Sequence, residues 1–166
     1  MQLSKTWKVN ASAGDTWSLL AEGFGDVGLW TSGIDSSQLS DVLGKGAIRT
    51  CGLPDGSWIK ESVTGYDPDA MTFSYTVVQG APRWIKEASN IWQIRAISGN
   101  QCEVTSNAVI VLPWWLRPLT PMMRIMVGRM GEQFVREAEY YLTHERIHPR
   151  ATRAKNRAAK RMKARL

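Results

Sequence analysis

Gly46-Ala47-Ile48-Arg49-Thr50-Cys51-Gly52-Leu53-Pro54-Asp55-Gly56-Ser57-Trp58-Ile59-Lys60-Glu61 is the stretch on which the fold turns. Apolar residues flank Pro54-Asp55-Gly56, and Asp-Gly between two such runs is a strong hairpin signal, because both residues tolerate the positive φ that tight turns need. The stretch predicts two antiparallel strands. Arg49 and Glu61 lie twelve residues apart, so strand alternation about that turn can set them on one face, nearly opposite one another. If the sheet they belong to curls around a cavity, they become a charged pair in an otherwise apolar pocket.

From Ile34 onward the same grammar repeats. Strands are predicted at about 34–41, 45–53, 57–67, 71–79, 84–97 and 102–112, separated by turn residues at Leu43-Gly44, Pro54-Asp55-Gly56, Asp67-Pro68-Asp69, Gly80-Ala81-Pro82 and Ser98-Gly99-Asn100. Loops this short require antiparallel neighbours. Upstream, residues 2–10 form a further strand, and Ser12 three residues before Asp15 is a capping-box-like start for a helix over about 13–22. Glycines at 25, 28 and 33 interrupt the next stretch, where Val27, Leu29 and Trp30 could form a second short helix.

After Pro113 the period changes. Trp114 to Leu119 reads as a loop, Thr120 as an N-cap and Pro121 as the first helical residue. Leu119, Met122, Met126, Met130, Phe134, Ala138 and Tyr141 recur at three- and four-residue spacing, one stripe of a helix over 121–144. At 1.5 Å per residue that helix is about 36 Å long. It is the one element able to cover a sheet face. The predicted class is α+β: a curved seven-stranded antiparallel sheet around a long C-terminal helix, with one or two short helices after the first strand.

A chain of 166 residues is long enough for one self-sufficient core. Its net charge of +6 is unevenly placed: residues 145–166 hold nine Lys or Arg and one acid, so residues 1–144 are close to neutral. The division is therefore a domain over 1–144 and a basic tail over 145–166, disordered or partly helical. Cys51 and Cys102 are too few for a disulfide framework and lack metal or redox spacing. With no signal-like start and no long apolar run, a cytoplasmic, soluble protein is expected.

Ala11, Asp15-Thr16-Trp17, Trp30, Gly46-Ala47-Ile48-Arg49, Asp55-Gly56, Glu61, Gly65-Tyr66-Asp67, Phe73-Ser74-Tyr75 and Pro82, in this order and spacing, resemble the START-like superfamily. The likeness is to its polyketide cyclase/dehydrase and birch-pollen-allergen-like (SRPBCC) group. It covers nearly all of residues 1–144 and implies the helix-grip fold, with a hydrophobic or amphipathic small molecule (lipid, quinone or polyketide-like) held between sheet and long helix. Some members are enzymes. In the plant branch, an arginine and a glutamate at the places of Arg49 and Glu61 face the cavity and take part in proton transfer.

One fold hosts carriers, receptors and enzymes alike, so the residues must be weighed singly. Arg49 could bind a carboxylate, enolate or carbonyl oxygen through its forked donors while Glu61 moves a proton, as a cofactor-independent cyclase or dehydratase would require; the pair could equally be a cross-strand surface bridge. Tyr66 and Tyr75 can orient a ligand or simply pack. In the strand 84–97, Ala88, Asn90, Trp92 and Ile94 share the inward phase, which makes Asn90 either a ligand contact or a satisfied core amide. Trp30, Trp92, Met126, Met130 and Phe134 complete the candidate lining, the methionines suiting an adaptable pocket.

Trp114 and Trp115 could pack, guard the pocket mouth or touch a membrane. No metal site is expected, since His144 and His148 are the only histidines, and no cofactor motif is present. The tail could contact RNA or an anionic membrane electrostatically. A domain that merely carries a nucleic-acid-binding tail is the reading from a different functional class.

Overall fold

The computed structural model describes the backbone of residues 1–163 and the side chains of residues 1–160. The chain runs β1 (Gln2–Val9), α1 (Ala13–Leu20), a 3-10 turn (Glu22–Asp26), α2 (Val27–Trp30), β2 (Ser36–Leu39), β3 (Ile48–Gly52), β4 (Trp58–Asp67), β5 (Thr72–Gln79), β6 (Glu87–Ser98), β7 (Gln101–Val111), a second 3-10 turn (Trp114–Leu119), α3 (Thr120–His144) and α4 (Pro149–Lys163). The seven strands form one antiparallel sheet in the order β1-β7-β6-β5-β4-β3-β2. The first and last-laid strands of the meander meet, so β1 closes against β7 while β2 ends the far side. Bulges between Lys60 and Glu61 and between Val63 and Gly65 interrupt the β4–β5 ladder, and such insertions bend a strand and increase its twist.

The predicted hairpin forms as read. Leu53 N–H donates to the Ser57 carbonyl at 2.8 Å and Gly56 N–H to the Leu53 carbonyl at 2.9 Å. Gly56 adopts φ +87°, which is why glycine serves here. Asp55 accepts from the backbone and hydroxyl of Ser57 at 2.9 and 2.6 Å. Arg49 is the Cα partner of Glu61 across β3 and β4. Ser12 caps α1 by accepting from Asp15 N–H at 3.0 Å.

Two expectations about the C-terminal helix are corrected. Residues 114–119, read as a loop, coil into a 3-10 turn that runs directly into α3; Thr120 is thus already helical (φ −52°, ψ −43°) and no side chain caps the helix start. The single apolar stripe also divides. Phe134, Ala138 and Tyr141 pack on the core, but Leu119, Met122, Met126 and Met130 are exposed, Met130 by 63%. Inward-facing positions upstream are instead Met123, Val127, Gly128 and Gly131. The physical reason is close approach to β1: a Cβ at Gly131 would stand 3.0 Å from Trp7 Cη2, and one at Gly128 would stand 3.0 Å from Lys5 Nζ. Where α3 runs this near β1 it presents glycine, so Met122 and Met126 turn outward, while Met130, though largely exposed, edges the cavity.

An aromatic cluster packs α1 and the first 3-10 turn against β4 and β5. Trp17 of α1 meets Tyr66 and Phe73 at ring-centroid distances of 5.4 and 6.0 Å, and Phe24 meets Phe73 and Tyr75 at 6.0 and 5.3 Å. The tail is helical over Pro149–Lys163, while 164–166 lie outside the described residues. One side of α4 is not solvated: Ala151 is fully buried, and Ala154, Lys155 and Ala158 follow it at helical spacing in partial burial. No helix among the described residues is long and apolar enough to cross a membrane.

Candidate functional site

Between the inner face of the sheet and α3 lies a cavity of about 390 Å³. Alternate residues of β1, β7, β6 and β5 form its floor, and Val127, Met130, Gln133 and Phe134 with the two helix glycines form its roof. Its walls are mostly apolar. Glycine on the helix keeps α3 close to β1, while the bent sheet holds α3 away from the central strands, and the space follows from that difference.

Arg49 and Glu61 stand in the wall, 4% and 5% exposed, so the pair is not a surface bridge. Arg49 donates from Nε and Nη2 to Glu61 Oε2 at 2.8 and 2.5 Å, and from Nη1 to the Phe24 carbonyl at 2.8 Å. Its guanidinium carbon lies 3.6 Å from the centre of the Phe24 ring, a cation–π contact that helps hold a desolvated charge. Of the five N–H groups a guanidinium carries, the described bonds use three. Cys51 adds a weak donor to Glu61 Oε2 at 3.5 Å. Burial pushes its thiol from 9.0 up to about 12, with Arg49 opposing and Glu61 reinforcing the rise.

Tyr75, next in the wall, accepts from Trp92 Nε1 at 3.4 Å. Burial, and then the nearby Glu61 charge, raise its phenol above the ordinary value, with Arg49 and hydrogen bonds acting the other way. Asn90 is Tyr75's cross-strand partner and accepts from Ser106 Oγ at 2.8 Å, so this amide both lines the cavity and has a protein partner. Trp92 lies between Trp7 and Phe134, at 6.4 and 5.5 Å.

The structure therefore brings Arg49, Glu61, Tyr75, Asn90, Trp92, Met130 and Phe134 to one cavity. Three other candidates stand outside its wall. Trp30 is buried behind Phe134, 4.9 Å between rings. Tyr66 shares the inner face with its cross-strand partner Phe73 but packs on Trp17 of α1, away from the cavity. Met126 faces outward for the glycine reason given above. Trp114 and Trp115 are exposed.

Lys5, Trp7 and Glu137 were not singled out from the sequence. Lys5 and Trp7 were legible, since they share the phase of Leu3 and Val9 along β1. Glu137 was not, because a glutamate near the end of a long amphipathic helix is ordinarily solvated. Here it is 1% exposed. Its carboxylate accepts from Thr31 Oγ1 at 2.8 Å, Ser32 N–H at 2.7 Å and Ser32 Oγ at 2.5 Å, and from Gln133 Nε2 at 3.3 Å. These bonds fasten α3 to the segment after α2, whose Thr31, Gly33 and Ile34 line the cavity. From the other side, the Lys155 ammonium of α4 donates to the carbonyls of Gly28 and Ile34. Burial lowers its pKa, against the raising influence of Asp35 and Glu137. Among the described residues no group of three His, Cys, Asp or Glu is placed to hold a metal.

A curved seven-stranded sheet gripping a long C-terminal helix, with short helices after the first strand, defines the helix-grip class of START-like proteins. The chain belongs to the polyketide cyclase/dehydrase and lipid transport family, whose model matches residues 1–142. Similar solved structures include XoxI from Bacillus cereus, with a TM-score of 0.72 at 15% identity over 89% of this chain and 99% of that one. A START superfamily protein from Mycobacterium smegmatis aligns with a TM-score of 0.71 at 16% identity, covering 87% of this chain and 99% of that one. Norcoclaurine synthase from Thalictrum flavum, solved with dopamine and hydroxybenzaldehyde, aligns with a TM-score of 0.63 at 16% identity over 87% of each chain. At such identities the likeness is one of fold. No curated protein matches the sequence.

Proposed function

We propose that residues 1–144 bind a hydrophobic or amphipathic small molecule, lipid, quinone or polyketide-like, between the sheet and α3. The observation that carries this reading is the cavity itself. Its volume of about 390 Å³ and its apolar walls with a few convergent polar groups match the usual make-up of a small-molecule site. Membership of a family described by cyclase, dehydrase and lipid-transport functions supports it. The neutral fluorophore phenylnaphthylamine, which brightens in apolar surroundings, should bind saturably at one site per chain. Ala108 lies in the cavity floor opposite Asn90, and Ala108→Phe should block that site while leaving the fold intact. No saturable binding, or binding indifferent to Ala108→Phe, would refute the reading.

A second reading is favoured by one observation, the buried Arg49–Glu61 pair at the wall. In a cofactor-independent cyclase or dehydratase, Arg49 stabilises a developing oxyanion and Glu61 shuttles the proton. Conservative replacements separate the two readings. Arg49→Lys and Glu61→Gln should remove turnover of a polyketide-like substrate in an enzyme, and only shift ligand affinity in a carrier.

A further inference from the structure

Among the described residues three charged side chains line the cavity: Lys5, Arg49 and Glu61. The last two neutralise each other through hydrogen bonds of 2.5 and 2.8 Å, so the wall keeps one uncompensated positive charge, that of Lys5. Among the described residues no carboxylate lies within ion-pair distance of its ammonium, and no hydrogen bond engages it. Its placement is built into the fold. The alternation of β1 turns Leu3, Lys5 and Trp7 inward, and the register sets Lys5 beside Ser106. Its ammonium reaches α3 in the space where Gly128 has no side chain, at 3.0 Å from where a Cβ would stand.

An ammonium beside Leu3, Trp7, Val127 and Met130 is tolerable while water reaches it. Filling the cavity with an apolar body displaces that water, and an unpaired cation in a dry site is strongly unfavourable. An anionic group on the ligand removes the conflict. Resting on the binding function proposed above, we infer that the ligand is an amphipathic acid: a carboxylate, sulfonate or phosphate seats on Lys5, and the apolar body extends over Trp7, Trp92 and Phe134 towards the Arg49–Glu61 pair. Lys5 selects for charge at the β1 side of the cavity, while the Arg49–Glu61 pair at the β3–β4 side, already neutral, leaves the far end of the ligand uncharged.

Two probes of nearly the same skeleton test this by fluorescence titration of the full chain: anilinonaphthalenesulfonate, which carries an anion, and phenylnaphthylamine, which does not. Lys5→Met removes the charge and keeps an apolar side chain of similar length. It should weaken the anionic probe about tenfold, as the loss of one charge-assisted hydrogen bond implies, and leave the neutral probe within about twofold, which also reports that the variant folds. Lys5→Glu should weaken the anionic probe further. Lys8→Met, on the outward face of the same strand, should change neither.

If wild type binds both probes and Lys5→Met leaves the anionic one unchanged, the charge assignment is overturned while the cavity function stands. The same holds if Lys8→Met weakens the anionic probe as much as Lys5→Met does, since the effect is then diffuse surface charge. If wild type binds neither probe, the cavity function fails and the inference with it.

Discussion

Glu61→Ala removes the carboxylate that neutralises Arg49 and leaves a guanidinium 4% exposed, held by the Phe24 carbonyl and the rings of Phe24 and Tyr75. Breaking a buried ion pair from one side costs about 3–5 kcal/mol, because the surviving charge stays desolvated. The cation–π contacts, each worth about 2 kcal/mol when desolvated, are present in both proteins, so they offset none of the loss. For a chain of this length about 2–4 °C of Tm accompanies each kcal/mol, which places the fall near 6–20 °C. Urea unfolding followed by far-UV circular dichroism and by tryptophan fluorescence measures the free-energy loss, and a thermal melt the fall in Tm. The decisive comparison is Arg49→Met combined with Glu61→Leu, which removes both charges and refills the volume. It should be less destabilising than Glu61→Ala alone, since no buried charge is left behind. A Glu61→Ala loss below about 1 kcal/mol, the range of exposed pairs, would mean that water reaches the pair freely, and the wall described here would be wrong.

Glu137→Ala should destabilise by about 3 kcal/mol or more, because it strands the Thr31 and Ser32 hydroxyls and the Ser32 N–H, each a buried donor; Glu137→Gln, which keeps an acceptor, should lose less, and equal losses in urea melts would contradict this account. Alkali should weaken the fold. The Cys51 thiol is raised to about 12 in the folded chain against 9.0 for an ordinary thiol, so above pH 9 the unfolded chain releases the proton first and the stability present below that pH is progressively lost. Cys102 and Tyr75, also raised, act in the same direction, whereas Lys155, lowered from 10.5, acts in the opposite one. Cys51→Ala should flatten the decline in stability between pH 9 and 11 measured by urea melts, and an unchanged slope would reject the assignment.

Much of the architecture is legible locally. Asp55-Gly56 closes a hairpin whose length forces Arg49 opposite Glu61, and the period-two pattern of β6 brings Asn90 and Trp92 inward. Both follow from backbone geometry over a few residues. The site was harder to read wherever a side chain's surroundings come from distant segments. Met126 and Trp30 fit the apolar pattern of a lining yet stand elsewhere, because a periodic stripe marks which residues align and not which side of the helix meets the sheet.

The order of elements, the antiparallel meander, the long terminal helix and the Arg49–Glu61 register were determined by the sequence alone, through turn chemistry and periodicity. Tertiary structure decided the rest. Close approach to β1 chose the glycine side of α3, turned Met122 and Met126 outward and left Lys5 inside the cavity without an acidic partner. The burial of Glu137 and the docking of Lys155 depend on loop carbonyls and hydroxyls more than a hundred residues away. Short-range patterns specify which face a residue shares, but burial and charge pairing depend on what the rest of the chain brings against that face.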